Sequence, residues 1–158
     1  MAETNSQTER ANKIVKQHML ATLGVGLVPV PLVDLALLVG IQLNMLHRLA
    51  KLYEVEFSSH FATSMITSLL GGGISISLSS TVARLVASIP LYGRIIGMAS
   101  TSVFSGASTY AIGKVFIQHF ESGRTFLTFD PQQVREYYAE QLAQGKNEVR
   151  QGFVGVKP

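Results

Sequence analysis

Between residues 19 and 46 the chain carries one charged side chain, Asp34, and the apolar run around it is interrupted by Pro29 and Pro31. No other feature limits the fold so strongly. A proline fixes its own φ, lacks an N–H, and pushes the preceding residue out of the α region. The run therefore cannot be one continuous helix. Each half is about 12–15 residues long, short of the roughly 20 that cross a bilayer. The segment GVGLVPVPLVD, starting at Gly24, reads as the turn of an apolar helical hairpin. Gly24, Gly26 and Pro29 end the first arm. Pro31 takes the first position of the second arm, where a missing N–H costs nothing. Asp34 then falls in the first turn, where free N–H groups and the helix dipole favour an anion. Arg84 and Arg94 bracket a second break at Pro90, and an ion pair to either would offset the desolvation of that carboxylate. A structural role for Asp34 is preferred to proton transfer or ligand chemistry.

Composition points the same way. Only 15% of the 158 residues are charged and 47% are hydrophobic, with mean hydropathy +0.28, whereas soluble domains usually carry about 25% charged residues. Such a chain is membrane-associated or tightly oligomeric. Residues 61–83 and 95–113 are also nearly free of charge, but they are rich in Ser, Thr and Gly and would insert only marginally. The formal charge of +3 is spread along the chain, so there is no phosphate-tracking stripe and no nucleic-acid partner is expected. Mild basicity, with Lys13 and Lys16 before the apolar hairpin and Arg48 and Lys51 after it, suits the inner, cytoplasmic face of a membrane. With no cysteine, disulfides, thiolate metal sites and a Cys nucleophile are excluded. The start, MAETNSQTERANKIVKQ, has no apolar centre of the signal-peptide kind. Lipid at the inner membrane is the expected environment, with the cytoplasm as the alternative.

The polarity pattern predicts an all-α fold of about six helices. Ser6 and Glu9 have capping-box spacing, placing a first helix from about residue 7. A second helix is expected over 31–53. A third starts after Ser58 and runs through Leu70, where Gly71-Gly72-Gly73 ends or loosens it. ISISLSS at 74–80 alternates like a strand but has nothing to pair with, and is taken as the start of a helix reaching residue 88. A long helix follows over 91–121, closed by Ser122-Gly123. Asp130-Pro131-Gln132-Gln133 opens a last, water-facing helix, expected to fray after Gly145. The implied organisation is a helical domain over 1–123, an amphipathic helix over 124–150 and a mobile tail over 151–158. Tyr138 and Leu142 form a stripe on that helix suited to docking a partner.

Small residues recur at every fourth position in the long helix: Gly93, Gly97, Thr101, Ser105, Thr109 and Gly113. This stripe lets another helix approach closely, in lipid or in a soluble bundle. Signals for chemistry are weak. Neither glycine-rich stretch supplies a phosphate-binding loop with its lysine. His18, His47, His60 and His119 lack metal-ligand spacing and are expected at interfaces or the surface. There is no nucleophile elbow. No catalytic residue, metal or cofactor is assigned, and a non-enzymatic protein is expected.

PVPLVD, IQLNMLHRLAKLY, ASIPLYGRIIG and STYAIGKVFIQHFESG together resemble the YcjF-like proteins of unknown function, over about residues 11–123. The matching positions are Pro29, Pro31, Asp34, Gln42, Met45, Pro90, Gly93, Thr109 and Gly113. These small helical modules occur alone in the inner membrane or joined to Era/Der-type and dynamin-like GTPase domains. The resemblance implies a membrane-associated module working with a separately encoded GTPase. Two other readings stay open: a soluble helical protein that self-assembles into a homo-oligomer, and a hydroxyl-lined carrier or pore.

Overall fold

A computed structural model of the chain describes the backbone of residues 2–25, 31–78 and 92–155, and the side chains of 2–25, 33–71 and 101–152. Among these residues the fold is all helical, with five α-helices and one 3₁₀ turn: α1 (Ala2–Leu23), α2 (Pro31–Leu52), α3 (Ser59–Leu78), α4 (Tyr92–Glu121), the 3₁₀ turn Phe126–Thr128, and α5 (Arg135–Gly155).

The helix ends follow local chemistry. Pro31 opens α2 and Asp34 sits in its first turn, as the hairpin reading requires. At the other end of α2, Glu54 adopts φ +56°. Its N–H bonds the Lys51 carbonyl at 3.4 Å, and the Val55 N–H reaches the Ala50 carbonyl at 2.8 Å. These two bonds make a Schellman cap, with Glu54 where glycine usually stands. The same motif closes α4 with the expected glycine. Gly123 has φ +73°, and the N–H groups of Gly123 and Arg124 bond the carbonyls of Phe120 and His119 at 2.9 and 3.3 Å. Ser58 serves as the N-cap position of α3, its carbonyl accepting from the Ala62 N–H at 2.9 Å.

Four boundaries differ from expectation. α1 begins at Ala2, so Ser6 and Glu9 lie inside it rather than capping it. α3 runs through Gly71-Gly72-Gly73 to Leu78. A mid-helix glycine costs about 1 kcal/mol but does not forbid helical dihedrals. Residues 74–78 therefore continue α3 instead of starting a new helix, and the rest of the stretch expected to be helical up to 88 lies outside the described residues. α5 starts at Arg135, because residues 131–134 form turns first. The Asp130 carboxylate still caps them, accepting from the Gln132 N–H at 2.9 Å and the Gln133 side-chain amide at 3.0 Å. α5 then continues through Gly145 to Gly155.

α4 is the central helix, packed on α1, α2, α3 and α5. Two pairs of contacts fix the directions. Gln42 meets Thr109 while Tyr53 meets Glu121, so α2 and α4 run parallel. Thr8 meets Glu121 while Thr22 meets Ser105, so α1 runs against α4. The bundle thus has one end formed by the start of α1 and the ends of α2 and α4, and an opposite end at the α1–α2 turn. An aromatic cluster closes the first. Phe116 stacks on Phe129 with ring centroids 4.6 Å apart, and Phe120 meets Phe126 edge-on at 5.3 Å. Gln7 also ties α1 to the end of α2 by donating to the Leu52 carbonyl at 2.9 Å, one of the carbonyls a helix end leaves unpaired.

Helix contacts are close because small residues sit between them. An added Cβ at Gly106 would stand 2.6 Å from Leu23 Cδ2 and 2.8 Å from Val149 Cγ2, and one at Gly145 would stand 2.8 Å from the Ala107 carbonyl oxygen. At Gly113 it would collide with Val15.

Candidate functional site

Three features involve α1 and α2, the first of them shared with α4. The first is a buried polar layer. The Gln42 side chain is fully buried, and its Nε2 donates to Thr109 Oγ1 at 3.0 Å and Ser108 Oγ at 3.4 Å. Both hydroxyls pass their own protons to the Ser105 carbonyl, at 2.8 and 3.1 Å. Thr22 of α1 donates to the same carbonyl at 3.3 Å. Gln42 Oε1, Ser102 Oγ and Asp34 Oδ1 are buried with no hydrogen-bond partner among the described residues. A partly satisfied polar layer fixes which helix faces meet rather than adding much net stability.

Beyond that layer, at the α1–α2 turn, lies an apolar end. Leu20, Val33, Leu35 and Leu37 are 58, 45, 48 and 44% exposed, which is high for four large apolar side chains gathered at one end of a bundle. Among the described residues one segment, Val33–Leu52, is long and apolar enough to cross a membrane by length and composition alone.

The third feature is a groove of about 720 Å³ between the outer faces of α1 and α2. Arg10 and Lys13 stand on one wall and Arg48 and Lys51 on the other, with Ile14 and Leu52 also lining it. Each pair is three residues apart and shares a helix face. The lining contains no carboxylate, and none of the four cations makes an ion pair among the described residues. His47, also on this wall, rests on the Phe57 ring at 4.8 Å.

The expected residues distribute unevenly over these features. Ser105 and Thr109 belong to the polar layer, and Gly113 packs on Val15. Thr101 faces outward. A four-residue repeat drifts about 40° per step around a helix, so the stripe cannot face one neighbour along its whole length. Of Gly93, Arg94 and Gly97 only the helical backbone is described, and Pro29, Arg84 and Pro90 lie outside the described residues. Tyr138 and Leu142 are each 1% exposed. Their stripe is covered by the protein's own helices, so it is not a free docking face, and burial raises the Tyr138 pKa. His18 and His119 are buried rather than at the surface. His18 lies between the Ile14 carbonyl at 2.8 Å and the Asn44 side-chain oxygen at 3.0 Å. His119 donates to the Thr125 carbonyl at 2.9 Å within the aromatic cluster, and burial lowers its pKa. His47 and His60 are exposed, as expected. Among the described residues no three His, Asp or Glu side chains gather as a metal site. Sequence reasoning had Lys13, Arg48 and Lys51 as flanking charges only. It missed Arg10, the shared groove, and Gly106 and Gly145.

At the opposite end, Glu121 accepts from Thr8 Oγ1 at 2.6 Å and from the Tyr53 hydroxyl at 2.9 Å. Burial, followed by that carboxylate, raises the Tyr53 pKa. This cluster ties three helix ends together.

A family model described as a domain of unknown function (DUF697) matches residues 3–147. The chain belongs to the DUF697 family. The DUF697 match includes α1 to α4 and enters α5, so the groove, the polar layer and the apolar end are all within it. A family without assigned activity is consistent with the YcjF-like resemblance. The chain is also similar to magnetosome membrane protein 22 of Magnetospirillum gryphiswaldense, 39% identical over 137 residues that cover 86% of this chain and 70% of that protein. No solved structure matches.

Proposed function

We propose that this DUF697 chain is a non-enzymatic, membrane-associated helical module that embeds the α1–α2 turn end of its bundle in the cytoplasmic leaflet of the inner membrane. The carrying observation is the polarity gradient along the outer faces of α1 and α2. It passes from Leu20, Val33, Leu35 and Leu37 at the turn to Arg10, Lys13, Arg48 and Lys51 at the far end. Residues 33–43 of α2 extend about 16 Å at 1.5 Å per residue, against a hydrocarbon core of roughly 30 Å. The hairpin therefore dips into one leaflet, with its cations left at headgroup level. Similarity to a relative named as a membrane protein supports this reading. By the YcjF-like resemblance, the water-facing end would work with a separately encoded GTPase.

Sodium carbonate extraction of membranes from cells making the full chain tests the proposal. The protein should stay in the pellet. Complete release, with recovery as a defined oligomer without detergent, would replace the proposal with a self-assembling soluble protein that covers the same leucines with a second copy.

A further inference from the structure

We propose that the basic groove between α1 and α2 is a headgroup site for an anionic phospholipid. This rests on the membrane reading above and adds a ligand to it. Four cations converge from two helices on one groove, with no acid in its lining and, among the described residues, no ion pair to relieve their mutual repulsion. Such a surface is completed by an anion from outside the chain. Two arginines add forked N–H donors suited to phosphate oxygens.

The surroundings distinguish a lipid from a free anion. On α1 the face that carries Arg10 and Lys13 continues through Gln17 to Leu20, about 10 Å beyond Lys13. On α2 the face that carries Arg48 and Lys51 continues to Leu37, about 16 Å beyond Arg48. The groove therefore opens along its length onto exposed leucines, as a molecule with a charged head and hydrocarbon tails requires. A free phosphate would gain nothing from that continuity. Gln17 at the junction offers a neutral donor where headgroup gives way to ester groups.

Flotation of the full chain with vesicles tests the assignment, using phosphatidylcholine alone and phosphatidylcholine doped with phosphatidylglycerol. Binding should favour the doped vesicles. The double variant Lys13→Gln/Arg48→Gln should bind the doped vesicles roughly 30-fold more weakly, from two lost contacts with an anionic surface. Both side chains are exposed, so the fold should be unaffected. The charge-matched control Arg124→Gln/Arg135→Gln, on exposed positions after α4 and at the start of α5, away from both the groove and the apolar end, should bind like the unaltered chain. Equal loss in both double variants, or equal flotation with both vesicles, would overturn the headgroup site while leaving membrane association standing. Displacement by inorganic phosphate beyond that caused by chloride at equal ionic strength would assign the groove to a free anion and overturn the lipid. Flotation with neither vesicle would overturn the membrane reading and the groove assignment with it.

Discussion

Gly145 of α5 lies against the backbone of Ala107 of α4, where an added β-carbon would stand 2.8 Å from the Ala107 carbonyl oxygen and 3.0 Å from its Cα. Backbone atoms inside a packed helix pair cannot yield cheaply. Gly145→Ala should therefore cost about 1–2 kcal/mol, overpacking outweighing the roughly 1 kcal/mol of gained helix propensity. Gly40 of α2 has open space around its Cβ direction, and Gly40→Ala should stabilise by up to about 1 kcal/mol. Denaturant titration of both variants checks the pair, and a stabilised Gly145→Ala would contradict the close contact.

Glu54 holds the left-handed position of the α2 cap at φ +56°. That conformation costs an ordinary L-residue about 1–2 kcal/mol, part of which glycine gives back through its freer unfolded chain. Glu54→Gly should raise stability by about 0.5–1 kcal/mol, and Glu54→Ala should not. The thermal midpoints of the two variants measure the difference.

These positions show what was legible in the sequence. Pro31, Asp34, Gly123 and the Asp130 turn act locally, through their own dihedrals and their own hydrogen bonds. The start of α2 and the end of α4 could therefore be read one residue at a time, whereas the Asp130 turn was legible but the helix it was expected to open starts only at Arg135. The basic groove could not, because it depends on α1 and α2 lying antiparallel in the register that sets Gln7 on Leu52 and His18 beside Asn44. Tyr138 and Leu142 were visible as an apolar stripe, but a stripe does not announce what covers it. The small-residue repeat marked α4 as a packing helix. Gly113 of that repeat does make a close contact, on Val15, but two further close contacts use Gly106 and Gly145, which lie outside it.

Gln42 contributes one satisfied amide nitrogen and one buried oxygen with no partner among the described residues. The hydroxyls that accept from it already send their protons to the Ser105 carbonyl. Gln42→Met keeps an unbranched side chain while removing both polar atoms, so the change should lie within about 1 kcal/mol of neutral. A loss above about 2 kcal/mol in a denaturant titration would show that the amide oxygen has a partner in solution.

His119 is the residue to watch for acid sensitivity. Burial lowers its pKa below the ordinary 6.5, Arg124 adds to the lowering, and the Thr125 carbonyl opposes it. Below about 6.5 the unfolded chain takes up a proton that the folded chain refuses. Stability should therefore fall as pH drops through that value, until the lower folded-state pKa is passed. His119→Gln keeps a donor for Thr125 and should flatten this part of the profile. Thermal midpoints between about pH 7.5 and 5.5 give the comparison, and identical slopes would contradict it.

The central claim, insertion of the α1–α2 turn end, can be read directly because the chain contains no tryptophan. Leu37→Trp places one at the apolar end. Leu127→Trp places one at the opposite end, on a residue 77% exposed. With vesicles carrying brominated acyl chains, fluorescence from the first should be strongly quenched and from the second left unchanged. Equal quenching of both, or of neither, would contradict insertion by that end.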